Sequence, residues 1–380
     1  MEQIPYGRQT IEDEDIATVA EALRSGWLTT GPLVDAFERA FADYCGAPYG
    51  VAVNSGTAAL HCAMRALQVG PGDEVIVPAI TFAASANCAA YQGATPVFAE
   101  VDPKTLLLDP QDAAARITPR TKAIVAVDYA GQPADWDEID ALAKHHGLAT
   151  VADACHSPGG SYKGRPVGTL GDISGFSFHP VKHLTTGEGG MSLTADKGYA
   201  DAMRRFRNHG IDSDHRQRAE KGAFAYDLKE LGYNYRLSDI QCALGLSQLK
   251  RLARWVERRR EIAAGYDKAL AGINFVRPLA AMPDRVHAYH LYVVELDIEA
   301  LGFDRAEAFQ RMRAAGIGVN VHYGPVHLMS FYRERFGCRD GQLPISERMS
   351  QRILTLPVYP TMTEDNQARV VEALAGLAHR

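Results

Sequence analysis

The sequence predicts an α/β fold in which a large, mainly parallel mixed sheet is flanked by helices and followed by a smaller α+β domain. Short apolar segments alternate with helical patterns from about residue 35 to 195, as in sheets that helices cover on both faces. A long amphipathic helical pattern comes next, and after it the spacing of strands and helices changes. Since 380 residues suffice for two domains, we place the boundary inside this helix, giving domains at residues 1–250 and 251–380.

The apolar and amphipathic patterns predict each element in turn. The predicted strands of the first region are residues 50–53, 74–77, 95–98, 123–127, 148–152, 173–178 and 190–193. Helical patterns between them include residues 57–69 and 133–146, and the long helix runs from about 238 to 270. In the second region we expect a strand at 290–296, a helix at 304–315, a strand at 318–322 and a final helix at 363–379.

Composition and charge exclude several classes of partner. Hydrophobic residues make up 46% of the chain and charged residues 23%, as in ordinary globular proteins. A formal net charge of -6 provides no basic surface for nucleic acid or an anionic membrane, and no apolar run reaches the length of a membrane span. The six cysteines form no CxxC pair, which favours reduced thiols. We therefore expect a cytoplasmic protein without a nucleic-acid, membrane or metal partner.

A strand, a Ser-Gly-Thr turn and a helix follow one another at residues 53–60. Ser55, Gly56 and Thr57 stand at the start of this helix, where free N–H groups and the helix dipole favour an anion such as a phosphate. A purely structural alternative is that Ser55 only caps the helix. The segment lacks the GxGxxG pattern, so a dinucleotide fingerprint is absent here.

Asp153 and His156 follow a predicted buried strand. Ligands of open α/β sheets bind outside the carboxyl ends of the strands, and a carboxylate there can pair with a protonated ring nitrogen of a ligand. Structural alternatives remain open, since Asp153 can cap the next segment and His156 can be a hydrogen-bonded loop histidine.

The segment from residue 176 to 190 carries the strongest chemical signal. Lys182 follows a strand, among aromatic and apolar residues and away from any run of charges. Most lysines are solvated, but a lysine buried beside aromatic rings has a lowered pKa and can form a Schiff base. Ser177 precedes it by five residues and is a candidate phosphate ligand.

A polar turn precedes the long helix. Its Asn234 and Arg236 are candidates for phosphate contacts, and Ser238 is the predicted N-cap of the helix. A turn with no ligand is an equal alternative on these residues alone.

These motifs, taken in order over nearly the whole chain, resemble the DegT/DnrJ/EryC1/StrS family of sugar aminotransferases, of pyridoxal 5'-phosphate (PLP) fold type I. The matching motifs are LTTGP (28–32), NSGTAAL (54–60), PAITFAASAN (78–87), DACHS (153–157), FSFHPVK (176–182), TTGEGG (185–190), RNHGI (207–211) and GYNYRLSDIQCALG (232–245). Residues 4–16, DACHS and FSFHPVK look most like the transaminases of pseudaminic acid biosynthesis.

The resemblance implies a role for each candidate cofactor residue. Lys182 would hold PLP as a Schiff base and carry a proton, and Asp153 would pair with the pyridine nitrogen. Phe82 would stack on the ring, and His156, where much of the family has Gln, would bear on the ring or its 3'-oxygen. The implied phosphate ligands are Ser55, Gly56, Thr57, Ser177 and, from a neighbouring subunit of a homodimer, Asn234.

The resemblance also implies the reaction. L-Glutamate would supply an amino group for C4 of UDP-2-acetamido-2,6-dideoxy-β-L-arabino-hexos-4-ulose, a UDP-linked keto-sugar. The alternative is another nucleotide keto-sugar, either a perosamine-type 4-keto sugar or a 3-keto hexose. The implied substrate contacts are Tyr6, Gly26, Trp27, Leu28, Thr29, Thr30, Arg236, His322 and Tyr323.

Three other functions are less consistent with the sequence. Related sugar dehydratases carry His where this chain has Lys182. A non-catalytic regulator would not need Lys182, Asp153 and Ser177 together. A nicotinamide-dependent enzyme on a Rossmann fold would need the missing glycine fingerprint.

Overall fold

A computed structural model describes residues 3–378 of the chain, except residues 214–215, 217, 219–221 and 223. The strands within these residues are β1 (Tyr49–Val53), β2 (Glu74–Pro78), β3 (Thr95–Ala99), β4 (Thr121–Val127), β5 (Ala149–Asp153), β6 (Ser161–Tyr162), β7 (Arg165–Pro166), β8 (Ile173–Ser177), β9 (Gly190–Thr194), β10 (Val276–Pro278), β11 (Arg285–Val286), β12 (Tyr292–Leu296) and β13 (Ile353–Leu356).

The helices in the same part of the chain are α1 (Asp13–Arg24), α2 (Pro32–Cys45), α3 (Gly56–Ala66), α4 (Ala84–Tyr91), α5 (Pro110–Ala115), α6 (Trp136–His146), α7 (Lys197–Arg207), α8 (Asp239–Leu249), α9 (Leu252–Leu270), α10 (Ile298–Leu301), α11 (Arg305–Ala314), α12 (Ser330–Phe336), α13 (Pro344–Ser350) and α14 (Glu364–Ala375). Short 3-10 turns lie at Tyr129–Gly131, Val326–Leu328 and Gly376–Ala378. No helix of the described chain is long and apolar enough to cross a membrane.

The largest sheet is the mainly parallel mixed sheet that the sequence predicts. Its order is β1-β9-β8-β5-β4-β2-β3, and β9 alone among these seven runs antiparallel to its neighbours. Two hydrophobic clusters, one including Phe37 and Trp136 and the other including Leu60 and Met64, pack against its strands. Because its strands are buried and apolar, they lack the alternation of a half-exposed sheet, as expected for an α/β core.

The direction of the strands fixes where a ligand can bind. Strands β1, β2, β4, β5 and β8 run the same way, so their carboxyl ends meet at one edge of the sheet. The segments that follow these ends carry Gly56, Phe82, Asp128, Asp153 and Lys182. In open α/β sheets this edge is where ligands bind.

The carboxyl-terminal region builds a separate core. Its antiparallel sheet has the order β10-β12-β13, and its hydrophobic cluster draws on α9, α11 and α14. Ile4 joins this cluster, and its backbone pairs with Gly316 and Gly318. The domain boundary at residue 250 stays a prediction.

Two of the predicted elements are wrong. The helix expected at 238–270 is two helices, α8 and α9, separated at Lys250 and Arg251. The apolar pattern continues across the break because both helices bury residues against the rest of the protein. At the break, the Arg251 guanidinium pairs with Asp15 and Glu14 of α1.

The strand expected at 318–322 is also absent from the structure. Only Asn320 forms a bridge, to Thr355 of β13, because the backbone of Gly318 pairs with Ile4 instead. The neighbouring strand β13 was not predicted. His379, the predicted end of the last helix, lies outside the described residues.

Candidate active site

Lys182 lies in the turn that follows β8, at the ligand-binding edge of the sheet. Its backbone N–H donates to the carbonyl oxygen of His179 at 2.9 Å, which fixes the turn, and the side chain is half-buried. Burial lowers the pKa of the Lys182 amine, the charge of Arg259 lowers it further, and Cys155 and Asp153 act in the opposite direction. A lowered pKa enlarges the fraction of the amine that is uncharged and able to react with a carbonyl group.

Asp153 ends β5, the central strand of this edge, and is held by a short chain of hydroxyls. Its Oδ2 accepts a hydrogen bond from the Ser85 hydroxyl at 2.6 Å, and Ser85 in turn lies 2.7 Å from the Thr81 hydroxyl. Its Oδ1 accepts a longer bond of 3.3 Å from the backbone N–H of Cys155. A carboxylate can accept about four hydrogen bonds, so Asp153 retains capacity for a donor on a ligand.

The start of α3 and the end of β8 form a tight polar corner. A Cβ atom placed on Gly56 would come 2.8 Å from the Ser177 Cβ and 3.1 Å from the Cys155 sulfur, so the backbone passes too close for a side chain. Ser55 caps the helix, its hydroxyl accepting from the N–H of Ala58 at 3.1 Å. The first-turn N–H groups of Gly56 and Thr57 face this corner, as in helix-terminal anion sites.

Phe82 and Tyr323 line the opposite side of the edge. Phe82 is 58% exposed although it follows a buried strand, and its ring centroid is 6.0 Å from that of Tyr323. The Tyr323 hydroxyl lies 3.1 Å from His156 Nε2. An aromatic ring left open beside a set of polar groups is available to stack on a planar ligand.

Three histidine rings pack against one another near Lys182 and Tyr323. The ring centroids of His156 and His290 are 4.5 Å apart, and those of His183 and His290 are 5.6 Å apart. Burial lowers the pKa of all three rings well below the ordinary value, so they are neutral near pH 7. The Nδ1 atom of each is buried without a hydrogen-bond partner among the described residues.

Asp128 is a second buried carboxyl group beside Asp153. It follows β4, accepts from the Ser157 hydroxyl at 2.6 Å and from the N–H of Ala134 at 3.0 Å, and donates its own N–H to the Asp153 carbonyl. Burial raises the pKa of Asp128 to about 7. Its hydrogen bonds attach the loop after β4 to the loop after β5 and so support Asp153.

The residues at this edge fit PLP. A half-buried amine, an acceptor carboxylate, an open aromatic ring and a helix N-terminus with a nearby hydroxyl match the aldehyde, ring nitrogen, ring face and phosphate of that cofactor. Within the described residues no group of three or more His, Cys, Asp or Glu side chains is placed to hold a metal ion.

Two of the predicted substrate residues join this group. The rings of Tyr6 and His322 are 5.5 Å apart, and His322 in turn contacts Tyr323. The His322 side chain also has a structural bond, since its Nδ1 lies 2.9 Å from the Thr355 hydroxyl. Burial lowers the pKa of His322 to about 3, so it too is neutral.

Arg236 and Thr30 lie elsewhere, on a cavity of about 810 Å³ whose walls are α2, α7 and the loop after α7. The Arg236 guanidinium donates to the Asn208 side-chain oxygen at 2.9 Å. Burial lowers its pKa and the charge of Arg207 lowers it further. Neighbouring Arg207 is neutralised by Glu38. Lys182 and Asp153 are not among the described residues that line this cavity.

The remaining predicted residues are exposed and are not among the described residues that line that cavity. Gly26, Trp27, Leu28, Thr29 and Asn234 are all exposed. The backbone of Leu28 accepts from Asp239, Thr29 bridges Ser238, and the Asn234 carbonyl accepts from the Asn54 side chain at 3.3 Å. Ser238 is the N-cap that the sequence predicts, with its hydroxyl accepting from Gln241. One chain therefore leaves these residues open to solvent.

Sequence reasoning missed Ser85 and His290. Ser85 stands in the PAITFAASAN motif four residues after Thr81, and the helical spacing from Thr81 was the available signal. His290 was expected only to support the sheet of the second domain. Its contact with His156 joins segments 134 residues apart, and no local pattern predicts such a contact.

Comparisons with known proteins give the same picture over the whole chain. The model of the DegT/DnrJ/EryC1/StrS aminotransferase family matches residues 9–375. The spore coat polysaccharide biosynthesis protein SpsC of Bacillus subtilis (strain 168) is 42% identical over 373 residues, which are 98% of this chain and 96% of that protein.

Solved structures resemble the fold closely. A putative sugar aminotransferase from Streptococcus pneumoniae in its PMP form is 32% identical, with a TM-score of 0.92 over 99% of both chains. Its PLP form gives a TM-score of 0.91 over 99% of this chain and 98% of that one. Helicobacter pylori PseC, an aminotransferase involved in the biosynthesis of pseudoaminic acid, is 29% identical, with a TM-score of 0.91 over 99% of both chains.

Proposed function

The chain belongs to the DegT/DnrJ/EryC1/StrS aminotransferase family, and from this premise we propose that it transfers the amino group of L-glutamate to C4 of a UDP-linked keto-sugar. It has the PLP-dependent fold type I and is a PLP-dependent sugar aminotransferase. The amino donor, the position on the sugar and the nucleotide are the proposed part.

The observation that carries the proposal is the convergence of Lys182, Asp153 and the Gly56–Ser177 corner at one edge of the sheet. When bound, PLP supplies an aldehyde carbon that takes up the amino group and a ring that accepts an electron pair. The chain must then provide a reactive amine, a charge near the ring nitrogen and a grip on the phosphate, and these residues provide all three.

Lys182 is the proposed catalytic base and acid. Its uncharged Nζ accepts the proton that leaves the α carbon of the donor, and in the second half of the reaction it returns a proton to C4 of the sugar. A positioned acid–base group of this kind contributes roughly 10²–10⁴-fold to a rate. The buried surroundings that lower the pKa of the Lys182 amine prepare it for this exchange.

Asp153 is proposed to keep the ring nitrogen protonated. Its carboxylate is fixed by Ser85 and by the backbone of Cys155, so it holds its position without needing to rotate. A protonated ring draws electrons away from the breaking bond, and the opposite charge of Asp153 stabilises that protonation.

The substrate side is proposed to be completed by a second copy of the chain in a homodimer. Arg236 and Thr30 line an open cavity. Asn234, the implied phosphate ligand for the neighbouring subunit, is exposed, as are the apolar side chains of Leu231 at 81% and Phe224 at 93%. A monomer rarely leaves such a cluster exposed. In a two-fold dimer each copy covers the other, and these residues reach the partner subunit's Lys182.

UDP-2-acetamido-2,6-dideoxy-β-L-arabino-hexos-4-ulose is the proposed substrate, with the product on a route to pseudaminic acid. Support comes from the likeness to the Helicobacter pylori aminotransferase and from the sequence of residues 4–16 and 176–182. Arg236 suits a diphosphate because a guanidinium can bind two oxygens at once, and the hydroxyls of Tyr6, Thr29, Thr30 and Tyr323 can bind the sugar or uracil.

A second candidate is another nucleotide keto-sugar, either a perosamine-type 4-keto sugar or a 3-keto hexose. The support for keeping it is that the relative of 42% identity is named for spore coat polysaccharide biosynthesis, whereas the protein named for pseudoaminic acid is 29% identical. A pocket built to bond particular hydroxyls can reject an analogue lacking them by roughly 10⁴–10⁵-fold, so the two candidates should separate clearly.

The test is a competition between the L-arabino 4-keto sugar and its D-xylo epimer, with L-glutamate as donor and product identification by mass spectrometry and NMR. We expect the L-arabino compound to be aminated at C4 with the higher kcat/KM. Preference for the D-xylo epimer or for a 3-keto hexose would contradict the pseudaminic assignment and leave the aminotransferase activity standing.

A further inference from the structure

Arg259 is a buried guanidinium that pairs with no carboxylate among the described residues. It lies on α9, is 1% exposed, and its Nη1 donates to the carbonyl oxygens of Val358, Tyr289 and His290 at 2.9, 3.2 and 3.3 Å. Its Nε is buried without a partner in the same part of the chain. By contrast, the buried Arg285 pairs with Asp135 and Asp284.

An uncompensated charge in the interior is expensive, because carbonyl dipoles replace only part of the lost hydration. Burial lowers the pKa of Arg259 only to about 10, so the guanidinium stays charged at neutral pH. A residue such as Met or Leu would fill the same space without this penalty. The cost of burying the Arg259 guanidinium therefore suggests that its charge has a function at this position.

The guanidinium of Arg259 lies close to the amine of Lys182. Arg259, Lys182 and His183 line one small cavity, and the carbonyl oxygen that Arg259 contacts on His290 belongs to the residue whose ring packs on His156. The positive charge of Arg259 acts to lower the pKa of Lys182, His183 and His290, in each case as an addition to burial.

The other groups around Lys182 do not supply this effect. Cys155 and Asp153 favour the charged amine. His156, His183, His290 and His322 are neutral because burial lowers their pKa values. Burial keeps the Cys155 thiol uncharged, because it raises the pKa of that thiol well above its ordinary value. Among the groups that act on Lys182 in the described chain, Arg259 is thus the permanent positive charge that opposes the Asp153 carboxylate.

We propose that Arg259 is a positioning residue of the active site, a fixed positive charge behind Lys182 that favours the uncharged form of the Lys182 nitrogen. This inference rests on the proposed role of Lys182. A purely structural role is the competing explanation, since Arg259 also ties α9 to the segments at residues 289–290 and 358.

Two substitutions separate charge from shape. Arg259→Met removes the charge and keeps most of the volume, whereas Arg259→Lys keeps the charge and loses the forked donor geometry. The readout is the pH at which the visible absorption of the PLP-loaded protein changes, which follows the proton on the Lys182 nitrogen. We expect Arg259→Met to raise this midpoint by roughly one pH unit, and Arg259→Lys to keep it near that of the unsubstituted protein.

Arg285→Met is the matched control, because it removes a buried arginine that pairs with carboxylates. It should lower the melting temperature without moving the midpoint. An unchanged or lowered midpoint in Arg259→Met, or equal shifts in Arg259→Met and Arg259→Lys, would overturn the proposal. If Arg259→Met does not fold, Arg259→Gln, which is neutral but keeps hydrogen-bond donors, is judged by the same midpoint.

Different results would contradict the role of Lys182 and the role of Arg259. If borohydride does not attach PLP to Lys182 in the unsubstituted protein, the proposed role of Lys182 is wrong. If attachment occurs at Lys182 and the midpoint of Arg259→Met does not rise, only the role of Arg259 is wrong.

Discussion

Around Lys182 the polar side chains are buried and bonded to one another, whereas around Arg236 they are half-exposed and face an open cavity. Asp153, Ser85 and Thr81 form a continuous chain of hydrogen bonds in the first region. In the second region the exposed Asn234 offers its side chain to solvent. One chain thus forms a connected set of polar contacts around Lys182 and leaves the proposed substrate residues at an open, half-exposed surface.

This difference follows from how each region is positioned. The cofactor side depends on strand ends in the sheet core, where buried backbone fixes each side chain within one chain. The substrate side depends on loops, which tolerate variation and can be completed by another subunit. Substitutions around Lys182 should therefore lower the rate of the reaction. Substitutions around Arg236 should change the assembly of subunits and the choice of substrate.

The largest expected effect is that of Asp153→Asn. The substitution keeps the shape of the side chain and removes the charge that would stabilise a protonated ring nitrogen. Steady-state kinetics should show kcat lower by roughly 10²–10⁴-fold, with PLP still bound through its phosphate. Ser85→Ala, which removes only the hydroxyl bonded to Asp153, should lose much less. Near-normal turnover in Asp153→Asn would place the ring-nitrogen partner elsewhere.

A smaller change in activity, a partial recovery, should follow from mixing two inactive variants. Lys182→Ala lacks the lysine that holds the cofactor, and the Asn234→Ala/Arg236→Ala double variant lacks the phosphate and substrate contacts that each chain is proposed to give its neighbour. If sites are shared between subunits, each heterodimer has one site with both defects and one with neither. After complete exchange about a quarter of the sites should be intact, measured as recovered activity.

Subunit exchange must be verified in that experiment, for example with two affinity tags. Two copies of Lys182→Ala mixed with each other serve as the control. Verified heterodimers without recovered activity would count against shared sites and would make the open cavity a surface of the single chain.

The smallest effect concerns stability and the buried Asp128. Because burial raises its pKa to about 7, the unfolded chain releases this proton at lower pH than the folded chain does. The free energy of unfolding should therefore fall as pH rises from about 4 to 7 and lose no more through this group above pH 7. Asp128→Asn should remove this loss, which is about 4 kcal/mol over that whole range and less between pH 5 and pH 8.

Chemical denaturation of the two proteins at pH 5 and pH 8 measures that difference. Asp43→Asn, at an exposed carboxylate of the open cavity, should leave the pH dependence unchanged. The same dependence in Asp128→Asn as in the unsubstituted protein would show that Asp128 is ionised throughout.

Much of the fold could be predicted from local patterns of apolar residues in the sequence. The seven strands of the large sheet follow apolar segments that the sequence displays directly, and each lies within a few residues of its predicted place. Strand β13 and the break at Arg251 were missed because both depend on contacts between segments that are far apart in the sequence. The pairing of β13 with β12 is long-range, and the break coincides with ion pairs to α1, about 236 residues away in sequence.

The site could be predicted only in part for the same reason. Asp153 and Lys182 stand at strand ends, which sequence patterns locate, and their roles came from resemblance to a family. The contacts of His290 and Arg259 join distant segments through buried side chains. An isolated histidine or arginine in a sequence has no periodic signal, so only the folded structure brings these residues to Lys182.

We propose that Lys182 holds the cofactor at the edge of the sheet. The direct measurement is reduction of the PLP-loaded protein with borohydride, followed by digestion and peptide mass spectrometry. Lys197→Ala, at an exposed lysine, serves as the control and should behave like the unsubstituted protein. We predict that the reduced cofactor is found on the peptide containing Lys182 and is absent from Lys182→Ala. Attachment to another lysine, or normal transamination by Lys182→Ala, would contradict the account.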